Sequence, residues 1–313
     1  MPLVNGMRIP RRLPSGLLLL VLVLGCTAGA TSVVGPVAVV RQQSAAAPAV
    51  ALPNHQDSLK FAVLGDFGNG SREQLQLAEE MTELHARFPF ELVVTVGDNI
   101  YGSDSERSLR ARFEVPYKAL LDGGVKFYAS LGNHDTPEFQ RHYALFNMGG
   151  DLYYTFKAPR EDVRFFALQS EYMNVEQIGW LERELTNSRE EWKIPYFHHP
   201  LYSSGERHGS ELPLRSILEP MFIRHGVSVV FAGHDHIYER TLPQKGIVHF
   251  VVGSGGQLRR GGLDRGTGIT ASGFDSDRAF LAVEIDGDEM FFNAISRTGQ
   301  VVDSGLITRR QTQ

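Results

Sequence analysis

From Leu59 onward the chain alternates between short apolar runs and longer stretches with helical spacing. Lys60-Phe61-Ala62-Val63-Leu64, residues 91–96 and residues 125–131 are runs of strand length with almost no polar interruption, the pattern of strands buried on both faces. Between them the period changes. Ser71 as N-cap, with Gln74 three residues on, predicts a helix whose stripe is Leu75, Ala78, Met81, Leu84 and Phe88. Leu109, Phe113, Tyr117 and Leu120 predict a second helix over about 106–121. This alternation implies parallel strands joined by right-handed crossovers.

The middle is mixed. Residues 153–156 and 163–168 read as a hairpin, and 175–186 as a helix with Ile178, Leu181 and Leu185 facing inward. A strand at 192–197, a helix at 212–225 and a strand at 227–231 follow. Three or four strands then come without helices, at 247–252, 279–285, 289–295 and 301–308, which predicts antiparallel sheet. Residues 253–278 are glycine-rich and aperiodic; a loop of that length reads as a functional lid or as disordered. No internal repeat is present.

Residues 1–56 contain no Asp or Glu. Arg8, Arg11 and Arg12 precede an apolar run at 17–24, and Ala28-Gly29-Ala30 fits a small-x-small cleavage site, the layout of a secretory signal peptide. The expected organisation is a signal peptide at 1–30, a flexible linker at 31–57, one catalytic domain at 58–308 and a tail at 309–313. The expected location is secreted, periplasmic or lysosomal. Two alternatives are an uncleaved anchor extended by the apolar residues 33–40, and a lipoprotein modified at Cys26 in Val23-Leu24-Gly25-Cys26. Unless the N-terminus anchors it, the chain is not expected to insert stably in a membrane. Cys26 is the only cysteine, so a mature chain cleaved after Ala30 has no disulfide and no thiolate ligand, and any metal must be held by nitrogen and oxygen. A net charge of -5 without a basic block excludes a general nucleic-acid partner.

The candidate chemistry sits where the apolar runs stop. They end at Gly65-Asp66, Gly97-Asp98, Gly132-Asn133-His134-Asp135, His198-His199 and Gly233-His234-Asp235-His236. Taken singly each residue has an ordinary reading: Asp after Gly forms turns, Tyr101 is a packed aromatic, a lone His is a surface group. Six of the eleven histidines, however, fall in these segments (134, 198, 199, 208, 234, 236), in phase with the strand ends. Asp66, Asp98, Tyr101, Asn133, His198, His234 and His236 are too many ligands for one tetrahedral ion. They suit two ions about 3.5–4 Å apart that share a carboxylate. Asp98, on the central of the first three strand ends, is the natural bridge.

The ordered set Gly65-Asp66-x-Gly68, Gly97-Asp98-x-x-Tyr101, Gly132-Asn133-His134-Asp135, His198 and Gly233-His234-x-His236 resembles the five-block signature of purple acid phosphatases, within the calcineurin-like metallophosphoesterase superfamily. The length, without a separate N-terminal β-domain, is similar to the small tartrate-resistant, mammalian-type branch. The resemblance implies an α/β fold, a four-layer αββα sandwich of two mixed β-sheets flanked by helices. It implies a monomeric secreted acid phosphatase that hydrolyses phosphate monoesters by attack of a metal-bound hydroxide at a binuclear Fe(III)–M(II) centre. Asp66, Asp98, Tyr101 and His236 would hold Fe(III); Asp98, Asn133, His198 and His234 would hold a divalent Fe(II), Zn or Mn. His134, oriented by Asp135, and His208 would face the substrate as the catalytic side chains. His208 is displaced by one residue from the family's position. Other departures are Gln169 where many relatives have Asp, the absent disulfide, and a glycosylation sequon at Asn69-Gly70-Ser71 close to Asp66. A phosphodiesterase or nucleotide pyrophosphatase with the same site is the alternative within this chemistry. A non-catalytic extracellular metal-binding protein is the alternative outside it. Arg259 and Arg260 read as solvated loop charges, with an anion clamp as the competing reading.

Overall fold

Along the first strand Phe61 and Val63 point one way, Ala62 and Leu64 the other, and all four are fully buried. Neither face of the sheet meets water at this strand, which is why the run carries no alternating polar side. A computed structural model describes residues 50–310; the expected signal peptide and most of the expected linker lie outside them. In chain order the first elements are β1 (Leu59–Leu64), α1 (Arg72–Arg87), β2 (Leu92–Val96), α2 (Glu106–Leu109), α3 (Lys118–Asp122) and β3 (Lys126–Ser130). Next come α4 (Pro137–Gln140), β4 (Tyr154–Lys157), β5 (Val163–Ala167), α5 (Val175–Asn187), β6 (Trp192–Tyr196) and α6 (Leu212–Arg224). The last are β7 (Val229–Ala232), β8 (Tyr238–Thr241), β9 (Val248–Val252), β10 (Thr270–Phe274), β11 (Ala279–Asp286), β12 (Glu289–Ser296) and β13 (Val301–Thr308).

Among these residues the strands form a six-stranded sheet, β13-β12-β11-β1-β2-β3, and a seven-stranded sheet, β10-β8-β9-β7-β6-β5-β4. Both are mixed. β1, β2 and β3 are parallel, as are β5, β6, β7 and β9; β11, β12 and β13 run antiparallel. One core lies between the sheets and includes Phe61, Val94, Phe165, Ile194, Phe231 and Phe250. A second packs α1 and the 106–122 helices on the first sheet, and a third packs α5 and α6 on the other. This is the expected αββα sandwich. Each fully buried Phe or Leu in these layers contributes roughly 1.5–3 kcal/mol.

Several local expectations change. α1 buries Gln74, Leu77, Ala78, Met81 and Leu84, while Leu75 is 39% exposed. Gln74 turns inward because its amide bridges Gly70 N–H (2.7 Å) and the Arg112 carbonyl (2.6 Å). The helix expected at 106–121 is broken by a π turn at Arg110–Glu114. Leu109, Phe113 and Tyr117 recur every four residues rather than every 3.6, and the wider turn keeps all three buried on one side. Tyr238–Thr241 and Thr270–Phe274 are strands that no periodicity announced. β9, expected in antiparallel sheet, is antiparallel to β8 but parallel to β7. Residues 50–57, the end of the expected linker, lie along the first sheet: Val50 N–H donates to Ser304 (2.8 Å), and Asn54 and His55 N–H donate to buried Glu284 (2.6 and 2.7 Å). No helix among the described residues is long and apolar enough to cross a membrane.

His249, on β9, is 3% exposed and neither ring nitrogen has a hydrogen-bond partner. Burial, and then the Arg215 charge, push it down to about 3. The unfolded chain takes up a proton near pH 6.5 that the folded chain refuses, so stability is full above that pH and is lost as pH falls toward 3. His249→Phe should therefore gain about 3 kcal/mol at about pH 4.5 relative to pH 8, roughly 5–10 °C in Tm. Equal Tm changes at the two pH values would show that His249 does not set the acid limit.

Candidate metal centre

Five strand ends meet at one edge of the sandwich. β6 is tied across to β2 by the His198 ring, whose Nδ1 lies 2.9 Å from the Val96 carbonyl. The Asp66 N–H donates to Gly97 (3.0 Å) and the Gly233 N–H to His198 (2.9 Å), so each loop braces its neighbour. Asp66 (φ 54), Asp98 (φ 50) and His234 (φ 71) are in the left-handed region, where a non-glycine residue costs about 1–3 kcal/mol. The conformation turns each side chain sharply off its strand into the cleft. Two glycines make the room. A Cβ on Gly132 would stand 2.3 Å from Asp98 Oδ1, and one on Gly233 2.5 Å from Asp66 Oδ2.

The donors sort into two groups that share Asp98. In the first, the Tyr101 hydroxyl lies 2.9 Å from Asp98 Oδ2 and 3.2 Å from both Asp66 Oδ1 and His236 Nε2. In the second, His198 Nε2 lies 3.0 Å from Asn133 Oδ1, 3.0 Å from His234 Nδ1 and 3.5 Å from Asp98 Oδ1. The seven residues expected as ligands are thus together, and Asp98 presents one oxygen to each group.

Proton counting within these groups does not close. The Tyr101 hydroxyl has one proton for two carboxylate oxygens, with the His236 ring nitrogen donating or accepting according to its tautomer. His198 Nδ1 faces a carbonyl and must carry the ring proton, which leaves the Nε2 lone pair directed at the Asn133 oxygen and Asp98. Asp66, Asp98, Asp135 and Asp235 are buried, and among the described residues none forms an ion pair with Lys or Arg. Burial, and then Asp98, hold the Asp66 carboxyl well above the usual range. Burial, and then Asp66 and Asp98, push the Tyr101 phenol far up. Burial, and then the neighbouring imidazoles, push His198 and His234 down, and burial also lowers His236, which favours the neutral rings. Converging carboxylates, bare lone pairs and no basic side chain suit cations, and the oxygen and imidazole donors fit two of them.

The expected catalytic residues separate. His134 is exposed with its ring 4.9 Å from that of Tyr101, and its N–H donates to Asp98 Oδ1 (2.9 Å). The exposed His208 packs on His234 at 4.0 Å between ring centroids, so the one-residue displacement still leaves it at the site. Asp135 does not orient His134. Its carboxylate accepts from the N–H groups of Asn99 (3.1 Å), Ile100 (3.1 Å) and Gly132 (2.9 Å), and from the side-chain amides of Gln140 (2.8 Å) and Asn99 (3.1 Å). Burial, and then Asp98, push it up to about 8. It fastens the Asp98 loop to the Asn133 loop.

Sequence reasoning missed its counterpart. Asp235 accepts from Ser203 Oγ (2.6 Å), His208 N–H (3.3 Å) and Gly209 N–H (3.0 Å), and so fixes the loop that carries His208. The available signal was an Asp in two of the histidine blocks, Asn133-His134-Asp135 and His234-Asp235-His236. His199 also packs on His198 and His234, but Ser170 and Glu171 engage its two ring nitrogens (3.0 and 3.3 Å). Gln169 exchanges hydrogen bonds with Gln177 (2.8 and 2.9 Å), away from the ligand groups. The glycine-rich stretch is not a free lid: Gly255, Gly256 and Gln257 N–H groups donate to the Gly65 and Asp66 carbonyls (3.0, 3.0 and 2.9 Å). Asn69 of the sequon is half-buried and engages Gly256 and Ser71 through its amide.

The chain is similar in sequence and fold to known phosphatases. The calcineurin-like phosphoesterase family profile matches residues 59–238. The chain is 25% identical over 272 residues to Purple acid phosphatase 4 of Arabidopsis thaliana, covering 76% of this chain and 80% of that protein. It is 23% identical over 312 residues to Tartrate-resistant acid phosphatase type 5 of Homo sapiens, covering 84% and 96%. Among solved structures, purple acid phosphatase PPD1 from yellow lupin (Lupinus luteus) seeds matches with a TM-score of 0.67 at 20% identity, over 83% of this chain and 55% of that one. A structure described as GAP50, the anchor in the inner membrane complex of Plasmodium, matches with a TM-score of 0.70 at 18% identity, over 82% and 91%.

If Asp135 is a loop fastener, Asp135→Ala strands several buried donors at about 1–3 kcal/mol each. Its Tm should fall by roughly 5–10 °C. A variant with unchanged Tm that loses only turnover would return Asp135 to a catalytic role.

Proposed function

The chain belongs to the calcineurin-like phosphoesterase family, and from that premise we propose that it is a secreted acid phosphatase acting on phosphate monoesters at a binuclear metal centre. The observation that carries the proposal is Asp98, one oxygen of which faces the Tyr101 group and the other the His198 group. Asp66, Asp98, Tyr101 and His236 form the more anionic set and suit a trivalent iron. Asn133, His198 and His234 add only neutral donors to the shared Asp98 and suit a divalent Fe, Zn or Mn. When bound, such a pair supplies an activated water and draws charge off the phosphoryl oxygens.

The chain's own residues do the remainder. The Val96 carbonyl fixes the tautomer of His198 and aims Nε2 inward. Asp135 ties the Asp98 loop to the Asn133 loop, and Asp235 ties the His234–His236 loop to the one that carries His208. His134, beside the first group, and His208, beside the second, are the exposed imidazoles in reach of a phosphoryl group. Either can donate to its oxygens or protonate the departing alkoxide. Burial lowers the proton affinity of His208, which ties its donor role to acidic conditions. The likeness to a protein described as an anchor means that the fold alone does not imply catalysis. A complete donor set with two exposed histidines at its mouth favours the enzyme. The alternatives at the N-terminus are separated by the mass of the mature chain.

With p-nitrophenyl phosphate as substrate, Asp98→Asn and His234→Ala should each lower kcat/KM about a thousandfold, since the lost cation stabilisation is several kcal/mol. His134→Ala should lose about a hundredfold. The metal-loaded protein should show a visible charge-transfer band that Tyr101→Phe removes. Retained turnover in Asp98→Asn would sink the site assignment, a colourless loaded protein would sink the iron–phenolate assignment, and turnover of bis-p-nitrophenyl phosphate alone would favour a diesterase.

A further inference from the structure

The two arginines of the glycine-rich stretch are not equivalent. Arg260 is exposed, the solvated charge expected of it. Arg259 is half-buried, and its N–H donates to the His236 carbonyl (2.9 Å). Its side-chain carbons lie over Gly262, so closely that a Cβ there would meet Arg259 Cγ at 2.5 Å. The Gly262 carbonyl accepts from Glu206 N–H (2.9 Å), and Gly205 forms a β-bridge with Leu263. Arg207, itself exposed but in the loop that carries the site histidine, follows at once, next to His208, whose ring rests on His234. Backbone bonds therefore bring Arg207 and Arg259 to one rim of the cleft, beside His208 and His236.

Neither guanidinium has a carboxylate partner among the described residues; Asp275, in the same stretch, is taken by Arg265 (3.2 Å). Two unpaired guanidiniums at a site for anionic esters are a binding element for further negative charge. The chain as a whole is acidic, so this positive rim is local and directional. A different flank carries the opposite sign. The recess beside His199 is lined by Glu171 and Glu211, and Glu171 pairs with His199 (3.3 Å). A second anionic group would be repelled there and drawn to the arginines.

We infer that Arg207 and Arg259 form a subsite for a second phosphate group carried on the leaving alcohol, so that bisphosphorylated esters are preferred over simple monoesters. The inference rests on the phosphatase reading above. In the reaction a water oxygen bonds to the phosphorus at the donor cluster and the ester P–O bond breaks. The electron pair leaves with the alkoxide, which takes a proton, giving orthophosphate and an alcohol that still carries its other phosphate. The arginines hold that phosphate and exchange no proton.

The test compares fructose 1,6-bisphosphate with fructose 6-phosphate as substrates, and propane-1,3-diphosphonate with propylphosphonate as non-hydrolysable ligands in calorimetry. Wild-type protein should favour the doubly charged member of each pair by about tenfold or more, the worth of one or two charge-assisted hydrogen bonds. Arg207→Gln and Arg259→Gln should each cut that preference several-fold and the double variant should erase it, with a smaller loss on the singly charged member. Arg260→Gln should keep the preference. Wild-type protein that binds and hydrolyses the monophosphate without preference overturns the subsite alone. So does an equal loss on both members of a pair, or an Arg260→Gln variant as impaired as Arg259→Gln. Protein that hydrolyses neither ester overturns the phosphatase reading and this inference with it.

Discussion

Negative charge and bare lone pairs are concentrated in one buried cleft from which lysine and arginine are kept out. Asp66, Asp98 and the Tyr101 hydroxyl converge within 3.2 Å, and His198 presents an unprotonated Nε2 to the Asn133 oxygen and Asp98. In a low-dielectric interior, such an arrangement is unfavourable unless positive charge enters. The left-handed residues, the glycines without room for a side chain and the mutual bracing of the loops all serve to hold together groups that would otherwise move apart.

Two aspartates do the holding. Asp135 gathers amides from the Asp98 and Asn133 loops, and Asp235 gathers them from the loop bearing His208. Each sits between or beside donor residues in sequence, yet each carboxylate faces away into backbone N–H groups. The donor groups thus stand at the ends of strands in two sheets, with the Asp98 and Asn133 loops and the loop bearing His208 fastened by buried Asp side chains.

Around this centre the surface is electrically divided. Arg259 is bonded through its backbone N–H to His236 and Arg207 adjoins His208 in the chain, while Glu171 and Glu211 line the recess beside His199. The division does not follow from net charge. It arises because the loop after β6 and the glycine-rich stretch after β9 are joined by the Glu206–Gly262 bond, which puts side chains more than fifty positions apart in sequence on one rim.

Much of this was legible in the chain itself. Apolar runs stopping at Gly-Asp, Gly-Asn-His-Asp, His-His and Gly-His-Asp-His pointed to an α/β fold and to seven residues that the structure brings together, because burial on both faces and a sharp turn at the strand end leave a local signature; the four-layer form was implied only by the family resemblance. What the sequence could not express was direction. Whether Asp135 looks toward His134 or into the backbone, whether Arg259 or Arg260 turns inward, and whether 253–259 swings free or straps the Asp66 loop are decided by partners distant in the chain. Local spacing carries periodicity and turn chemistry; only the packed sheets decide which distant amide, carbonyl or charge each side chain meets.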